Sequence, residues 1–241
     1  MVYPAGAPSR SWFAHYAQRF DTVELNSTFY RLPAPATVER WAAQAPPGFV
    51  YAVKLGQFAT HRRKLRLPET WLANHLDRVR RLGPSLGPNL VQLPPAWRRD
   101  PARLEAFLAL APRELRWAVE LRDRSWLHDE VFAVLARYDA ALVLHDLLPV
   151  RPPALTARWC YLRFHGPNPE HERYGGRYGG RRLWRVAEQA GAWLAEGRDV
   201  YAYFNNDRHG DAVLDAAWLA ARLGAGADRT AVTVDGGRTA E

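Results

Sequence analysis

Seven short apolar runs alternate with helix-like stretches along this 241-residue chain, and that alternation constrains the fold more than any other feature. The runs are FDTVELNSTFY (20–30), FVYAVKLG (49–56), PNLVQLPP (88–95), LRWAVELR (115–122), AALVLHD (140–146), WCYLRFHG (159–166) and DVYAYFNND (199–207). Between them, amphipathic stretches cover 10–19, 37–45, 70–82, 101–111, 128–138, 181–196 and 210–223. Strands that alternate with helices imply parallel pairing through helical crossovers. Seven such units favour a TIM-like (β/α) barrel over an open doubly wound sheet. No linker or low-complexity block divides residues 1–223, which read as a single domain. Residues 224–241 show little apolar periodicity and read as a disordered tail.

Parity within the strands separates two faces. Val23, Leu25, Val53, Leu55, Val91, Leu93, Val119, Leu121, Leu162, Phe164, Ala202 and Phe204 share one parity and are all apolar, as packing against helices requires. The opposite parity ends in Glu24 and Asn26, Lys54, Gln92, Glu120 and Arg122, Arg163 and His165, and Asn205 and Asp207. These polar groups are expected to point into the barrel near the C-terminal strand ends, where barrel active sites form. In the run at 140–146 the parity is ambiguous, because only one of His145 and Asp146 can face inward.

The residue types suggest a chemistry. Lys54 and Lys64 are the only lysines in an arginine-rich chain, and a buried lysine can lose its proton where an arginine cannot. His165 titrates near neutral pH and suits proton transfer. The expected catalytic set is Glu24, Lys54, Glu120 and His165, with Glu120 and His165 exchanging protons and Glu24 orienting Lys54. Arg122, Arg163, Asn26, Gln92, Asp146 and Asn205 are expected to bind substrate. Tyr174 and Tyr178 lie in the long YGGRYGG loop and are expected to fold over that substrate as a lid that is mobile when empty. Buried ion pairs at the barrel mouth are the plainer reading of the same charges. His61 and Trp126, just past strand ends, either line the mouth or anchor its loops.

The other signals are broader. A net charge of +8 favours acidic partners, either an anionic small molecule or nucleic acid, and HRRKLR (61–66) adds a basic cluster. Cys160 is the only cysteine, so an internal disulfide and a cysteine-based metal site are excluded. The carboxylates and histidines lack metal-ligand spacing, so no metal is assigned and the cofactor is left unknown. No apolar run reaches membrane-spanning length and no leader pattern opens the chain, so the reading is a cytoplasmic protein without a membrane partner.

FDTVELNSTFYRLP, YAVKLGQFATH, LVQLPPAW, AVELRDRSW, YLRFHG, the YGGRY loop and YFNND appear in order over residues 10–223. Taken together they resemble the YecE-like family, domain-of-unknown-function family seventy-two. The resemblance implies a TIM-like barrel. Members usually begin with a strand carrying Gly-Thr-Ser-Gly-Trp, whereas this sequence starts after that point, at YPAG. The expectation is therefore a seven-stranded barrel lacking its first strand, with open edges on the strands around 23–28 and 200–205. The family also tends to carry Asn where this chain has Asp215. The functional expectation is an enzyme, a hydrolase or lyase, acting on a phosphate-bearing substrate by Glu/His acid–base chemistry. The alternative is a non-catalytic nucleic-acid-binding protein.

Overall fold

The computed structural model describes residues 4, 6–150, 153–168, 171, 172, 174–224 and 231–234. The seven expected strands are all present and parallel: β1 (Thr22–Leu25), β2 (Val50–Lys54), β3 (Leu86–Gln92), β4 (Trp117–Glu120), β5 (Ala141–His145), β6 (Cys160–Phe164) and β7 (Val200–Phe204). Each pairs with the next in chain order, as right-handed crossovers through helices dictate. The helices are α1 (Trp12–Ala17), α2 (Ser27–Tyr30), α3 (Pro35–Gln44), α4 (Glu69–Arg80), α5 (Pro101–Leu110), α6 (Asp129–Arg137), α7 (Gly180–Ala195) and α8 (Asp211–Gly224). At the start of α5, Asp100 accepts from the Arg103 amide at 3.1 Å ahead of Pro101, a residue pair that favours a helix N-terminus.

Two boundaries differ from the sequence reading. The first run was read as strand to residue 30, but β1 ends at Leu25 and α2 follows. Thr28 Oγ1 donates to the carbonyls of Leu25 and Lys54, both at 2.7 Å, and this local bonding turns the chain into a helix. The second difference lies in the expected tail. Ala231–Val234 forms β8, in parallel register from Tyr201 beside Ala231 to Phe204 beside Val234. The sheet therefore has eight strands, the seven read from sequence plus this one. The β7 edge is covered rather than open, and β8 lies beside β1. The four residues AVTV favour a strand through their β-branched content, but they are too short a run to stand out among Gly, Asp and Arg neighbours. Among the described residues no strand precedes β1, and no helix is long and apolar enough to cross a membrane.

The parity argument holds residue by residue. All twelve apolar residues assigned to the outer face pack in the two clusters formed with the helices. The barrel interior is a third cluster containing Ala52, Leu90, Ala118, Ala141 and Val143 on one side and Tyr161, Tyr201 and Tyr203 on the other. Small residues on β2, β4 and β5 thus leave room for tyrosines on β6 and β7, which fill the barrel. The hydroxyls of Tyr161 and Tyr203 reach across to β1, while that of Tyr201 accepts from Arg116 Nη1 at 2.7 Å. Tyr203 pairs with Thr22 Oγ1 at 3.0 Å, and Tyr161 donates to Glu24 Oε2 at 2.5 Å. Side chains from β6 and β7 therefore cross the seam where β8 lies.

Candidate functional site at the barrel mouth

One inward layer above the tyrosines, the polar residues form a single bonded net. Arg163, only 3% exposed, donates to Glu24 Oε1 at 2.6 Å and to Glu120 Oε2 at 2.5 Å. Glu120 takes the Arg122 guanidinium on its other oxygen, and Asn26 Nδ2 donates to Glu24 Oε1 at 3.1 Å. Gln92 Oε1 accepts from Arg122 at 3.5 Å and from Arg163 at 3.4 Å. Parallel register makes this possible, because partnered residues present their side chains on the same face: Gln92 lies beside Glu120, and His145 beside Arg163. Burial alone raises the Glu120 carboxyl, but Arg163 and Arg122 outweigh it and hold it well below the usual carboxylate range. A carboxylate so paired stays ionised and positions the two arginines.

His165 stands at the edge of this net. Its Nδ1 lies 3.0 Å from Asp146 Oδ1, and its amide donates to Asp146 Oδ2 at 2.9 Å. Burial, with the charges of Arg163 and Arg122 and against the pull of Asp146, pushes the imidazole down to about 4. Burial pushes the Asp146 carboxyl the other way, but the His165 hydrogen bond prevails and holds it below its ordinary range. The two shifts agree on one state, a neutral imidazole whose Nδ1–H donates to an ionised carboxylate. Nε2 then carries the lone pair, facing Arg122 Nη2 at 3.2 Å and Arg163 Nη1 at 3.4 Å.

The ambiguity in the fifth run resolves in favour of both residues. His145 is the inward one, its Nε2 donating to the Leu121 carbonyl at 2.8 Å, and Asp146 reaches His165 from just past the strand end. His145 Nδ1, buried, meets no protein partner, and the same holds for both amide atoms of Asn205, which is 3% exposed. Lys54 places its Nζ 4.4 Å from the Phe29 ring centre, and burial followed by the charges of Lys54 and Arg122 lowers the His61 imidazole. His61 therefore lines the mouth. Trp126 is fully buried and donates to the Trp97 carbonyl, so it anchors its loop.

The two loop tyrosines separate. Tyr174 is 42% exposed, its ring 6.0 Å from that of His165. Tyr178 is 5% exposed and packs on Phe164 and Phe204, the outward residues of β6 and β7. Its hydroxyl donates to Asp146 and accepts from the Gly166 amide at 2.6 Å, so it supports His165 from behind instead of covering a substrate. The described part of the loop is pinned. Tyr174 N donates to His165 O at 2.7 Å, Tyr178 N to Asp215 Oδ2 at 3.1 Å, and Asn206 Nδ2 bridges Gly176 O and Asp215 Oδ2. Gly166 carries this close packing at φ 120°, where an added Cβ would meet the Gly175 carbonyl oxygen at 2.7 Å.

Glu24, Asn26, Gln92, Glu120, Arg122, Asp146, Arg163 and His165 thus converge in one hydrogen-bonded net, while Lys54, Tyr174 and Asn205 border it. Glu24 bonds Arg163, Tyr161 and Asn26, so its part in the net is to hold Arg163 and the seam. The sequence reading did not assign Tyr161, Asn206 or Asp215 to the site. A signal for Asp215 existed, because it lies on the buried face of α8 with Ala212, Ala216, Leu219 and Leu223. Among the described residues no group of three or more His, Cys, Asp or Glu is placed to hold a metal ion.

This fold and mouth define a TIM-like barrel with a charged, hydrogen-bonded centre at the C-terminal ends of its strands. The chain belongs to the family described as Protein of unknown function DUF72, which matches residues 1–236. It is similar to the UPF0759 protein YecE of Escherichia coli K12, 34% identical over 119 residues. That match covers 49% of this chain and 42% of the relative, so it spans less than half of the relative's length. The UPF0759 protein YunF of Bacillus subtilis 168 is 25% identical over 88% of this chain and 86% of its own. Among solved structures, a DUF72 family protein of Thermotoga maritima matches at a TM-score of 0.80 and 26% identity over 93% of both chains. A DUF72 protein of Enterococcus faecalis shows the same fold at a TM-score of 0.77 and 21% identity, over 89% of this chain and 88% of its own.

Proposed function

We propose that the chain is an enzyme that binds an anionic, phosphate-bearing substrate at the barrel mouth and moves a proton through His165. The observation that carries this reading is the Asp146–His165 pair, whose Nε2 faces the guanidiniums of Arg122 and Arg163. Asp146 fixes the tautomer, so the Nε2 lone pair accepts from the guanidiniums and is released for a proton when those donors turn to an anion. Buried and free of ligand, His165 is a weak base, because the guanidinium charges oppose its protonation. An anion beside Arg122 offsets those charges and raises the imidazole toward working pH. Lys54 contributes a compact cation at the same mouth, and Asn205 and His145 Nδ1 offer hydrogen bonds to the neutral part of the ligand. Glu24 and Glu120 position the arginines. The reaction class is hydrolysis or elimination at a phosphorylated compound of the cytoplasm.

A thermal-shift screen of phosphate esters tests the reading, because a ligand specific to the native state raises its apparent stability. The expected hit is turned over by the wild type, whereas His165→Ala binds it and loses turnover. A screen in which no phosphate ester stabilises the protein, or a hit turned over equally by His165→Ala, refutes it.

A further inference from the structure

We infer that the sector of the mouth above β1 and β2 is a docking surface for single-stranded nucleic acid. The segments that follow these strands, residues 26–38 and 54–68, contain Arg31, Lys54, Arg62, Arg63, Lys64 and Arg66 and no Asp or Glu. Some arginines elsewhere on the surface are matched by acids, such as Arg80 with Glu114, Arg81 with Glu39 and Asp77, and Arg116 with Asp199. Among the described residues, Arg31, Arg62, Arg63 and Arg66 are exposed and form no ion pair. This side of the mouth therefore carries a run of cations with no acid within its two segments.

Aromatic rings are interleaved with these cations. Tyr30 is 69% exposed and Phe58 is 39% exposed. Each is backed by a second ring: Phe29 stands edge-on to Tyr30 at 5.2 Å, and Trp71 stacks on Phe58 at 6.2 Å. Phe29 also meets His61 at 5.0 Å and lies beneath the Lys54 ammonium, which joins α2 to the π-helical turn Phe58–Arg62. The Arg63 guanidinium lies 5.9 Å from the Phe58 ring centre. Rings held rigidly at the surface lose little entropy when a base stacks on them, and neighbouring arginines neutralise the backbone. Bases can reach such rings only when they are unpaired, so the complementary partner is a single strand. A polyanion without bases satisfies the arginines alone. Lys54 borders the His165 site, but the exposed arginines and rings of this surface take no part in its hydrogen-bonded net, so the surface stands without the proposed chemistry.

Fluorescence anisotropy with a labelled oligothymidylate tests it, with a duplex and linear polyphosphate as competitors. The single strand is expected to bind, and to outcompete both competitors at equal charge. Replacing Arg62 and Arg63 together by Gln is expected to reduce the slope of log affinity against log salt by about 1.4. Tyr30→Ala and Phe58→Ala are each expected to weaken binding at least about fivefold without changing that slope. All four side chains are on the surface, and circular dichroism confirms that each variant is folded. Absent binding at low salt, equal competition by polyphosphate or duplex, or unchanged affinity in both aromatic variants overturns the inference. Binding is read without turnover, so its failure leaves the enzymatic reading intact.

Discussion

Tyr178 and His165 share one carboxylate from opposite sides. The Tyr178 hydroxyl donates to Asp146 Oδ2, while His165 Nδ1 donates to Oδ1. A loop that looks in sequence like a cover for the mouth instead reaches behind the strand and sets the group that sets the histidine.

Tyr178→Phe therefore acts on His165 at a distance. With one donor fewer, the Asp146 charge is less shared and attracts the imidazolium more strongly, so the His165 pKa is expected to rise from about 4 by up to about one unit. Loss of a buried hydrogen bond to a charged group also costs about 1–3 kcal/mol of stability. A pH titration of the ring nitrogens by NMR reads the first effect, and urea unfolding the second. An unchanged or lowered His165 pKa contradicts the coupling.

Acid stability follows from the buried histidines. His165 and His75 both have imidazoles lowered to about 4 by burial, whereas the unfolded chain protonates them near 6.5. Between these values the unfolded state binds more protons, so stability is full above about pH 6.5 and falls as pH drops toward 4. Each histidine contributes about 3 kcal/mol to that fall. His75→Gln, which removes a ring stacked on Trp71, is expected to flatten the acid limb by roughly half. Stability that is level from pH 6.5 to 4.5 in the wild type contradicts this account.

Arg163 bridges two buried carboxylates, so removing it leaves both without its charge. Arg163→Met is expected to lose about 3–5 kcal/mol, the cost of breaking a buried pair from one side. Adding Glu24→Gln and Glu120→Gln to the same chain is expected to recover more than half of that loss. Arg163→Lys recovers less, because one ammonium cannot present a fork to both acids. Denaturant unfolding of the four proteins decides it, and additive losses would count against the bridge.

The loop should be protected even without ligand. Tyr178 N donates to Asp215 Oδ2, a carboxylate with no solvent exposure. Asp215→Ala is expected to speed hydrogen exchange at that amide about ten- to hundredfold, the worth of a charge-assisted bond. Asp215→Asn keeps a carbonyl oxygen for Tyr178 and Asn206 and should retain slow exchange. Fast exchange at Tyr178 in the wild type would restore the picture of a lid that is free when empty.

The barrel was legible because inward and outward residues obey a period of two, and twelve outward apolar positions are a long enough series to fix it. The same rule located Glu24, Glu120 and Arg163, whose side chains leave regular strands, and His165, one residue past the end of β6. It failed where the chain leaves the strand. Asp146 turns toward His165 from a loop, and Tyr178 returns from twelve residues beyond Gly166 to bond its amide. Asp215 shares the apolar face of α8, but its partners Tyr178 and Asn206 come from other segments, and only the fold brings them to it. Parity also gives direction without partner. Glu24 points inward as expected, and its Oε1 accepts from the long Arg163 side chain crossing from β6, a partner that parity does not name.

The bonds that cross the seam have a further consequence. Tyr161 and Arg163 both end on Glu24, so one carboxylate ties the wall of the barrel together and also sets the arginine at the centre of the mouth. Shape and reactivity then share atoms and cannot drift apart. A lineage that altered the chemistry by replacing Glu24 would loosen its own enclosure, and one that rebuilt the enclosure would retune the chemistry. Variation in such a protein is channelled outward, to the loops around the rim.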